Sequence, residues 1–295
     1  MGSLTIESDG YGIQQNAKGT SDVALTVQDA FTLTASNIGV NVTAEANAKS
    51  RVTLQGKMQA RHPGWLFYVQ GPGAAISTDL TQAQIEGYGR AVDGATLDLT
   101  LKSTASAARL RLINSHDTLP AGTINVALQE GAAWRPVALP SQINRLTLTS
   151  GGTLDLREVV LPQPEPESDA EASIAPTTRS ARVRRALSAV DGGASAVASF
   201  HTDYLAGDAG RIALTVNTQT DTGQVFEIQS GSEGHHLIDV ANQSSEAPTG
   251  HPILLVHSVE GLSHPEAFTA TFSEARPVEV GELIYYVGNA STVNS

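Results

Sequence analysis

The chain has 295 residues and a formal net charge of −12, and charged residues make up only 16 % of it, against roughly 25 % in ordinary globular domains. The negative charge argues against nucleic acid as a partner, because a phosphate backbone is bound by clustered Lys and Arg. The absence of cysteine excludes disulfides and thiolate metal sites. No apolar run approaches the roughly 20 residues of a membrane-spanning helix.

Short runs of alternating apolar and polar residues fill the first half of the chain. They include LTIES, VALTVQD, AFTLTAS, IGVNVTA, RVTLQG, GWLFYVQG, ATLDLTLKS, ARLRLINS, TINVALQ and NRLTLTSGGTLDLRE. A period of two predicts half-buried strands, and Gly, Asn, Asp and Ser separate the runs. No segment has a sustained helical period, so the chain is predicted to be all-β.

Three all-β architectures compete, namely the sandwich, the barrel and the parallel β-helix. The hairpin signals Asp9-Gly10 and Asp93-Gly94 are too few for a hairpin-built fold of this size. The runs begin again after similar intervals, with small residues between them. This favours the stacked coils of a right-handed parallel β-helix, with a loose period because no exact repeat is visible.

Residues 162–199 differ from the rungs predicted over 1–161. PQPEPESDAEASIAPTT is rich in Pro and Glu and poor in large apolar residues, a composition that cannot offset the entropy of ordering. RSARVRRALSAV follows, with Arg179, Arg182, Arg184 and Arg185 close together. We predict a flexible loop whose arginines form either a proteolytic processing site, a partner-binding site or simply a solvated basic patch.

The β signal resumes near Phe200. A small-residue turn leads into LTVNT, and GQVFEIQ, HLIDVANQ, ILLVHS, FTATF and VEVGELIYYVG follow. This order resembles the C-terminal end of pertactin-like, AIDA-type autotransporter (type V secretion) passengers. Upstream, AAWRPVALPSQINRLTLTSGGTLDL resembles the last regular rungs of that family. The resemblance covers 130–160 and 200–288.

The resemblance implies a structural role for the last third of the chain. Residues 200–288 would form a C-terminal cap, called the autochaperone region in the family, and 289–295 a tail. The expected folding core of the cap comprises Leu214, Val216, Phe226, Ile228, Leu237, Ile238, Leu254, Leu255, Phe268, Phe272, Ile284 and Tyr286.

The resemblance also implies a function. It indicates a non-enzymatic virulence factor, displayed on the cell surface of a Gram-negative bacterium or secreted, with its own membrane barrel absent from this chain. It would act as an adhesin that binds a host cell, matrix or serum-defence protein, without a cofactor. Two alternatives remain, a self-associating passenger that promotes aggregation or biofilm, and a polysaccharide-acting β-helix enzyme.

The stretch SGSEGHHLIDVANQ brings together the residue types of a catalytic triad, with Ser232, His235, His236 and Asp239. It lacks the G-x-S-x-G turn that exposes a nucleophile, and adjacent histidines on a strand point to opposite faces. We therefore predict a structural strand with neither a catalytic nor a metal role.

Three further histidines are interpreted as polar residues of the surface or cap edge, with pH sensing as the alternative. They are His251, His257 and His264.

Two other sets of residues are candidates for function. Asp98, Glu130 and Asp155 could pair on stacked rungs at the separation that glycoside hydrolysis requires, although nothing marks them above ordinary surface acids. GWLFYVQGPG places Trp65 and Phe67 in one aromatic run. An exposed Trp65 or Phe67 would suit a partner contact, and burial in one rung is the alternative.

Overall fold

A computed structural model describes residues 3–116, 118–159, 196–243, 253–258, 268–272, 278–280 and 283–285. These residues form 21 β-strands and no helix. The strands are β1 Ser3–Ser8, β2 Tyr11–Ala17, β3 Asp22–Val27, β4 Ala30–Ala35, β5 Ile38–Ala44, β6 Lys49–Gln70, β7 Ala74–Val92, β8 Thr96–Lys102, β9 Ala107–Ile113, β10 Thr123–Gln129, β11 Ala133–Trp134, β12 Ser141–Leu148, β13 Thr153–Asp155, β14 Ala196–Ala206, β15 Gly210–Asn217, β16 Thr222–Ser232, β17 His236–Asn242, β18 Val256–Ser258, β19 Phe268–Phe272, β20 Val278–Val280 and β21 Leu283–Tyr285.

The strands stack in three parallel columns, because each turn of the chain contributes one segment to each column. Side A contains β3, β8, β10 and the last parts of β12, β14 and β16. Side B contains β1, β4, β11, β13, β15, β17 and β19. Side C contains β2, β5, β18 and the first parts of β12, β14 and β16. The long strands β6 and β7 pass through all three sides, and β9 runs from side B, where it pairs with β11, to side C, where Ile113 pairs with Gln142.

The result is a parallel β-solenoid of about eight turns, which confirms the predicted fold class. The period is loose, as expected from the lack of an exact repeat. Ser3 pairs with Ala30, 27 residues later, whereas Ala75 pairs with Thr96, only 21 residues later. The turns therefore differ in the length of their corners.

The core is built by stacking the inward residue of each strand on its neighbours in the turns before and after. Leu80, Leu101, Leu128 and Leu148 form one such column on side A, and each is at most 1 % exposed. Burial of one leucine side chain contributes about 1.5–3 kcal/mol. Aliphatic stacking repeated in every turn explains how a chain with 5 % aromatic residues builds a continuous core.

One predicted hairpin signal has a different role. Asp93 and Gly94 have φ angles of 56° and 73°, the left-handed conformation expected of an Asp-Gly turn. They connect β7 to β8, which pair in parallel. The turn is therefore a corner of the solenoid, since the chain passes once around the coil before the next strand pairs.

Residues 196–243 continue the same coil. β14 begins at Ala196, four residues before the predicted start of the cap at Phe200, and pairs in parallel with β12 and β16. Antiparallel pairing occurs locally between β15 and β16 and between β20 and β21. The formation of a closing cap by residues up to 288 stays a prediction, and residues 162–195 lie outside the described part of the chain.

Five residues of the expected folding core of 200–288 are buried, and the role of the whole set in folding stays a prediction. The five are Leu214, Val216, Phe226, Ile228 and Ile238. Leu237 is only half-buried, because it alternates with the inward His236 and Ile238.

The structure describes all but one of the remaining predicted core residues. Leu254 and Leu255 are half-buried, and Leu255 packs against the core. Phe268, Phe272 and Ile284 lie in β19 and β21, and Tyr286 lies outside the described residues.

Candidate partner-binding surface

The four residues of the SGSEGHHLIDVANQ stretch do not form a triad. His235 is exposed and lies 3.7 Å from Asp208, between Nδ1 and Oδ1. His236 is buried, and its Nε2 is 3.0 Å from the Glu233 carbonyl oxygen. Asp239 is buried and pairs with Arg211. The two histidines and the aspartate thus have partners outside the set.

Burial of His236 lowers its pKa, which the Glu233 carbonyl and the charge of Asp208 only partly oppose. Neutral imidazole is therefore the form that the folded chain favours. The structural role expected of this strand stays a prediction.

The three candidate carboxylates also have separate surroundings. Asp98 accepts a hydrogen bond of 2.8 Å from the Asn125 side chain. Glu130 lies in a turn at a φ of 54° and is exposed. Asp155 is buried and bonded to Arg157. No pair of them shares a partner among the described contacts, so they give no support to a glycosidase-like site.

Asp155 instead belongs to an ion network on side B. Arg157 Nε lies 2.9 Å from Asp155 Oδ1, and Arg135 Nε lies 3.4 Å from Asp155 Oδ2. Burial alone would raise the pKa of Asp155, but hydrogen bonds from Arg157 and the charges of both arginines outweigh burial and lower this pKa. The pKa of Arg157 is raised, chiefly by its hydrogen bond to Asp155.

The network extends to neighbouring turns. Arg157 Nη1 is 3.6 Å from Asp239 Oδ2, and Arg211 pairs with the same carboxylate. Glu158 pairs with Arg109 and Arg135. These contacts between side chains of successive turns link the turns to one another. Because the charges compensate one another, the network leaves little net charge for a ligand.

Side C carries a different cluster, in which two turns contribute aromatic rings. The rings of Trp65 and Tyr68 meet edge to face at 6.2 Å between centroids, and those of Trp65 and Tyr88 at 5.8 Å. The guanidinium carbon of Arg90 lies 4.4 Å from the Trp65 ring centroid. All four side chains are partly exposed. Trp65, Tyr68, Tyr88 and Arg90 are called the aromatic patch below.

The patch arises from strand alternation and from register. The last part of β6 lies directly on the last part of β7, so that Trp65 pairs with Tyr88 and Tyr68 with Arg90. Phe67 points inward and is fully buried, which corrects its candidacy as a partner contact. The sequence identified Trp65, but it missed Tyr88 and Arg90 because they come from the following turn.

A shallow groove adjoins the patch along the chain. It has a volume of about 540 Å³, and its lining includes Arg61, His62 and Pro63, which immediately precede Gly64 and Trp65. His62 is buried and accepts a hydrogen bond of 2.9 Å from the Gly64 backbone N–H. This bond fixes the corner from which Trp65 emerges.

Within the described residues, no three or more His, Asp or Glu side chains are placed to hold a metal ion. The same part of the chain has no helix long and apolar enough to cross a membrane. Arg179, Arg182, Arg184 and Arg185 lie outside the described residues, as do His251 and His264.

The stacked columns define the chain as a parallel β-solenoid protein. Comparisons with protein-family models, with curated proteins and with solved structures found no match.

Proposed function

We propose that the chain is the passenger of an autotransporter of a Gram-negative bacterium, displayed at the cell surface or secreted, and that it acts by binding a host cell, matrix or serum-defence protein. The observation that carries the binding function is the partly exposed aromatic patch on side C. The passenger assignment is supported by the resemblance of 130–160 and 200–288 and is compatible with the β-solenoid fold.

The composition of the patch suits a protein interface. Trp, Tyr and Arg are the residues that most often dominate binding energy at such interfaces. Here the two edge-to-face contacts and the Arg90–Trp65 contact hold the side chains in place before any partner arrives. Preorganised side chains lose less conformational entropy on association, which leaves more of the contact energy as affinity.

Binding to a panel of human serum and matrix proteins tests this proposal. Trp65→Ala should weaken a specific interaction at least tenfold, since loss of a central aromatic anchor typically costs 2 kcal/mol or more. Tyr204→Ala is the matched control, because Tyr204 is another partly exposed ring with an arginine, Arg145, at 4.8 Å. Equal effects of the two substitutions, or the absence of any binding partner, would contradict the proposal.

The arginine-rich segment is proposed as a second element of this function, either as a processing site or as a partner contact. Limited trypsin digestion should cleave first between Arg179 and Arg185 and leave two resistant pieces. Deletion of 162–195, which leaves β14 intact, should then reveal whether binding depends on the segment. First cleavage elsewhere would remove the basis for this part of the proposal.

Self-association of the chain with this sequence is a second candidate function, and the first turn of the described coil favours it. Among the described strands, β1 pairs only with β4 in parallel register and β3 only with β6. Leu4, Val23 and Leu25 are 44 %, 38 % and 38 % exposed on these strands. Open strand edges with apolar side chains are templates for pairing with another chain, here a second copy.

Sedimentation velocity over a wide concentration range tests self-association. The wild-type chain should form dimers as concentration rises, and Val23→Lys with Leu25→Lys should abolish them. Gln82→Lys with Gln84→Lys, the same two added charges at exposed positions of β7, should leave them intact. A wild-type chain that stays monomeric throughout would exclude this candidate.

A further inference from the structure

A serine, a histidine and a glutamate converge on side C, in turns beyond the aromatic patch. Ser199 and His201 are two residues apart on β14 and therefore share one face of the strand. Glu227 lies on β16, in direct register with His201 in the adjacent turn. The intervening Phe200 is fully buried, so the three polar side chains lie on the opposite, outward face.

Their contacts follow the order of a nucleophile, a base and an acid. Ser199 Oγ is 2.7 Å from His201 Nε2, and His201 Nδ1 pairs with Glu227 Oε2. A proton on Nδ1 donated to the carboxylate leaves the Nε2 lone pair free to accept the Ser199 hydroxyl. This is the tautomer that a general base for serine requires.

The burial of the three groups is graded. The Glu227 side chain is 7 % exposed and the His201 side chain 27 % exposed, and Ser199 is also partly exposed. Glu227 Oε1 has no hydrogen-bond partner in the described part of the chain, so the described contacts of this carboxylate run through Oε2 to His201. The acid is thus shielded from water while the hydroxyl remains accessible to a substrate.

We propose that Ser199 is an activated nucleophile that accepts acyl groups from carboxylic esters, with His201 as its general base and Glu227 as the residue that positions His201. Ser199 Oγ bonds to the ester carbonyl carbon while its proton passes to His201 Nε2. The ester C–O bond then breaks, and the leaving alcohol takes the proton from Nε2. Water attacks the acyl-serine, gives a proton to Nε2, and the carboxylic acid departs as Nε2 returns that proton to Ser199 Oγ.

This activity goes beyond the proposed binding function and uses other residues. The His235–Asp208 pair offers an internal comparison, because its shortest contact is 3.7 Å and both side chains are 75 % exposed. That pair lacks both the burial of the acid and a described serine partner. His235 therefore serves as a control for the background ester hydrolysis that any exposed imidazole can catalyse.

The test is hydrolysis of 4-nitrophenyl acetate by the full chain, with mass-spectrometric mapping of acetylated peptides. Ser199→Ala and His201→Gln should each lower the rate at least ~10²-fold, the lower end of what general-base catalysis contributes. Acetyl groups should appear on Ser199 in the wild type. Glu227→Gln should also lower the rate, and Glu227→Asp should restore part of it, which a merely structural role of Glu227 does not predict.

His235→Gln should leave the rate unchanged. Far-UV circular dichroism and thermal midpoints of all variants separate loss of reactivity from loss of fold. Acetylation confined to lysines, or a rate that survives Ser199→Ala in a folded chain, would overturn the proposal. Neither result affects the binding experiment on Trp65, so the two proposals fail independently.

Discussion

The stacked aromatic rings inside the coil allow a quantitative test of how turns stabilise one another. Phe200 meets Trp134 edge to face at 5.1 Å and stacks on Phe226 at 5.6 Å, and all three side chains are buried. Phe200→Leu keeps most of the buried volume but removes both ring contacts. Each such contact contributes about 0.5–1.5 kcal/mol beyond burial, so the substitution should cost about 1–3 kcal/mol more than a matched substitution without ring partners.

Phe67→Leu is that matched substitution. Phe67 is also fully buried, and no ring contact of Phe67 occurs in the described part of the chain. Its replacement removes the same side-chain volume without the loss of a ring contact, so it should cost about 1–3 kcal/mol less than Phe200→Leu. Urea denaturation followed by circular dichroism gives the two free energies of unfolding. A double-mutant cycle of Phe200 and Phe226 isolates their coupling. Equal losses for Phe200→Leu and Phe67→Leu would refute the ring-stacking argument.

Three further predictions concern a corner, the ion network and a buried histidine. Gly71→Ala should lower the free energy of unfolding by about 1–3 kcal/mol, because φ is +100° and the added Cβ would lie 1.9 Å from the Ala44 carbonyl oxygen. Gly19 has a φ of +66° and open space around it. Gly19→Ala should therefore cost less in the same urea titration. Asp239→Asn should destabilise the fold by about 1–3 kcal/mol, since the Asp239 side chain is 2 % exposed between Arg211 and Arg157. Asp22→Asn breaks an exposed pair with Arg51, which contributes about 0–1 kcal/mol. Similar thermal midpoints for the two variants would contradict this difference. The folded-state pKa of His236 is lowered from 6.5, so the unfolded chain takes up a proton at a higher pH than the folded chain, and stability should fall as pH decreases below 6.5. Urea midpoints measured at neutral and at mildly acidic pH should therefore converge in His236→Gln. They should remain apart in His235→Gln.

The sequence predicted strands well where large aliphatic residues alternate with polar ones. TINVALQ corresponds to β10 without error, and IGVNVTA to β5. It gave no strand for residues 74–92, which form β7. In the second half of β7, over residues 83–91, the buried positions are Ala83, Ile85, Gly87, Gly89 and Ala91. All but Ile85 are small residues, so the alternation in hydrophobicity is weak.

Close packing explains why such small residues stand there. A Cβ on Gly89 would lie 2.5 Å from Leu112 Cδ2, and a Cβ on Gly87 would lie 3.0 Å from Leu66 Cβ. Neighbouring turns supply the bulk that these positions lack. Complementarity between turns is a property of the stack, and period-two counting along one strand does not measure it.

The same limit explains which sites the sequence could predict. Trp65 was identified because the aromatic run is contiguous, whereas Tyr88 and Arg90 become its neighbours only through register. Ser199 and His201 carry a local Ser-x-His signal on one strand face, but Glu227 joins them from the next turn. The separation between paired residues varies from turn to turn, so the register cannot be extrapolated along the chain.

Register also relates the two proposed sites to each other. Arg90, Ile113, Gln142 and His201 follow one another on side C, so Arg90 and His201 are three strand spacings apart, or about 14 Å. A partner protein that covers the aromatic patch with an interface of ordinary size, about 800 Å² on each partner, extends far enough to reach His201. One lateral face of the coil could thus hold a partner at one end and present Ser199 to it at the other. The solenoid requires no additional element for this arrangement, because backbone pairing between turns alone aligns residues that are far apart in sequence.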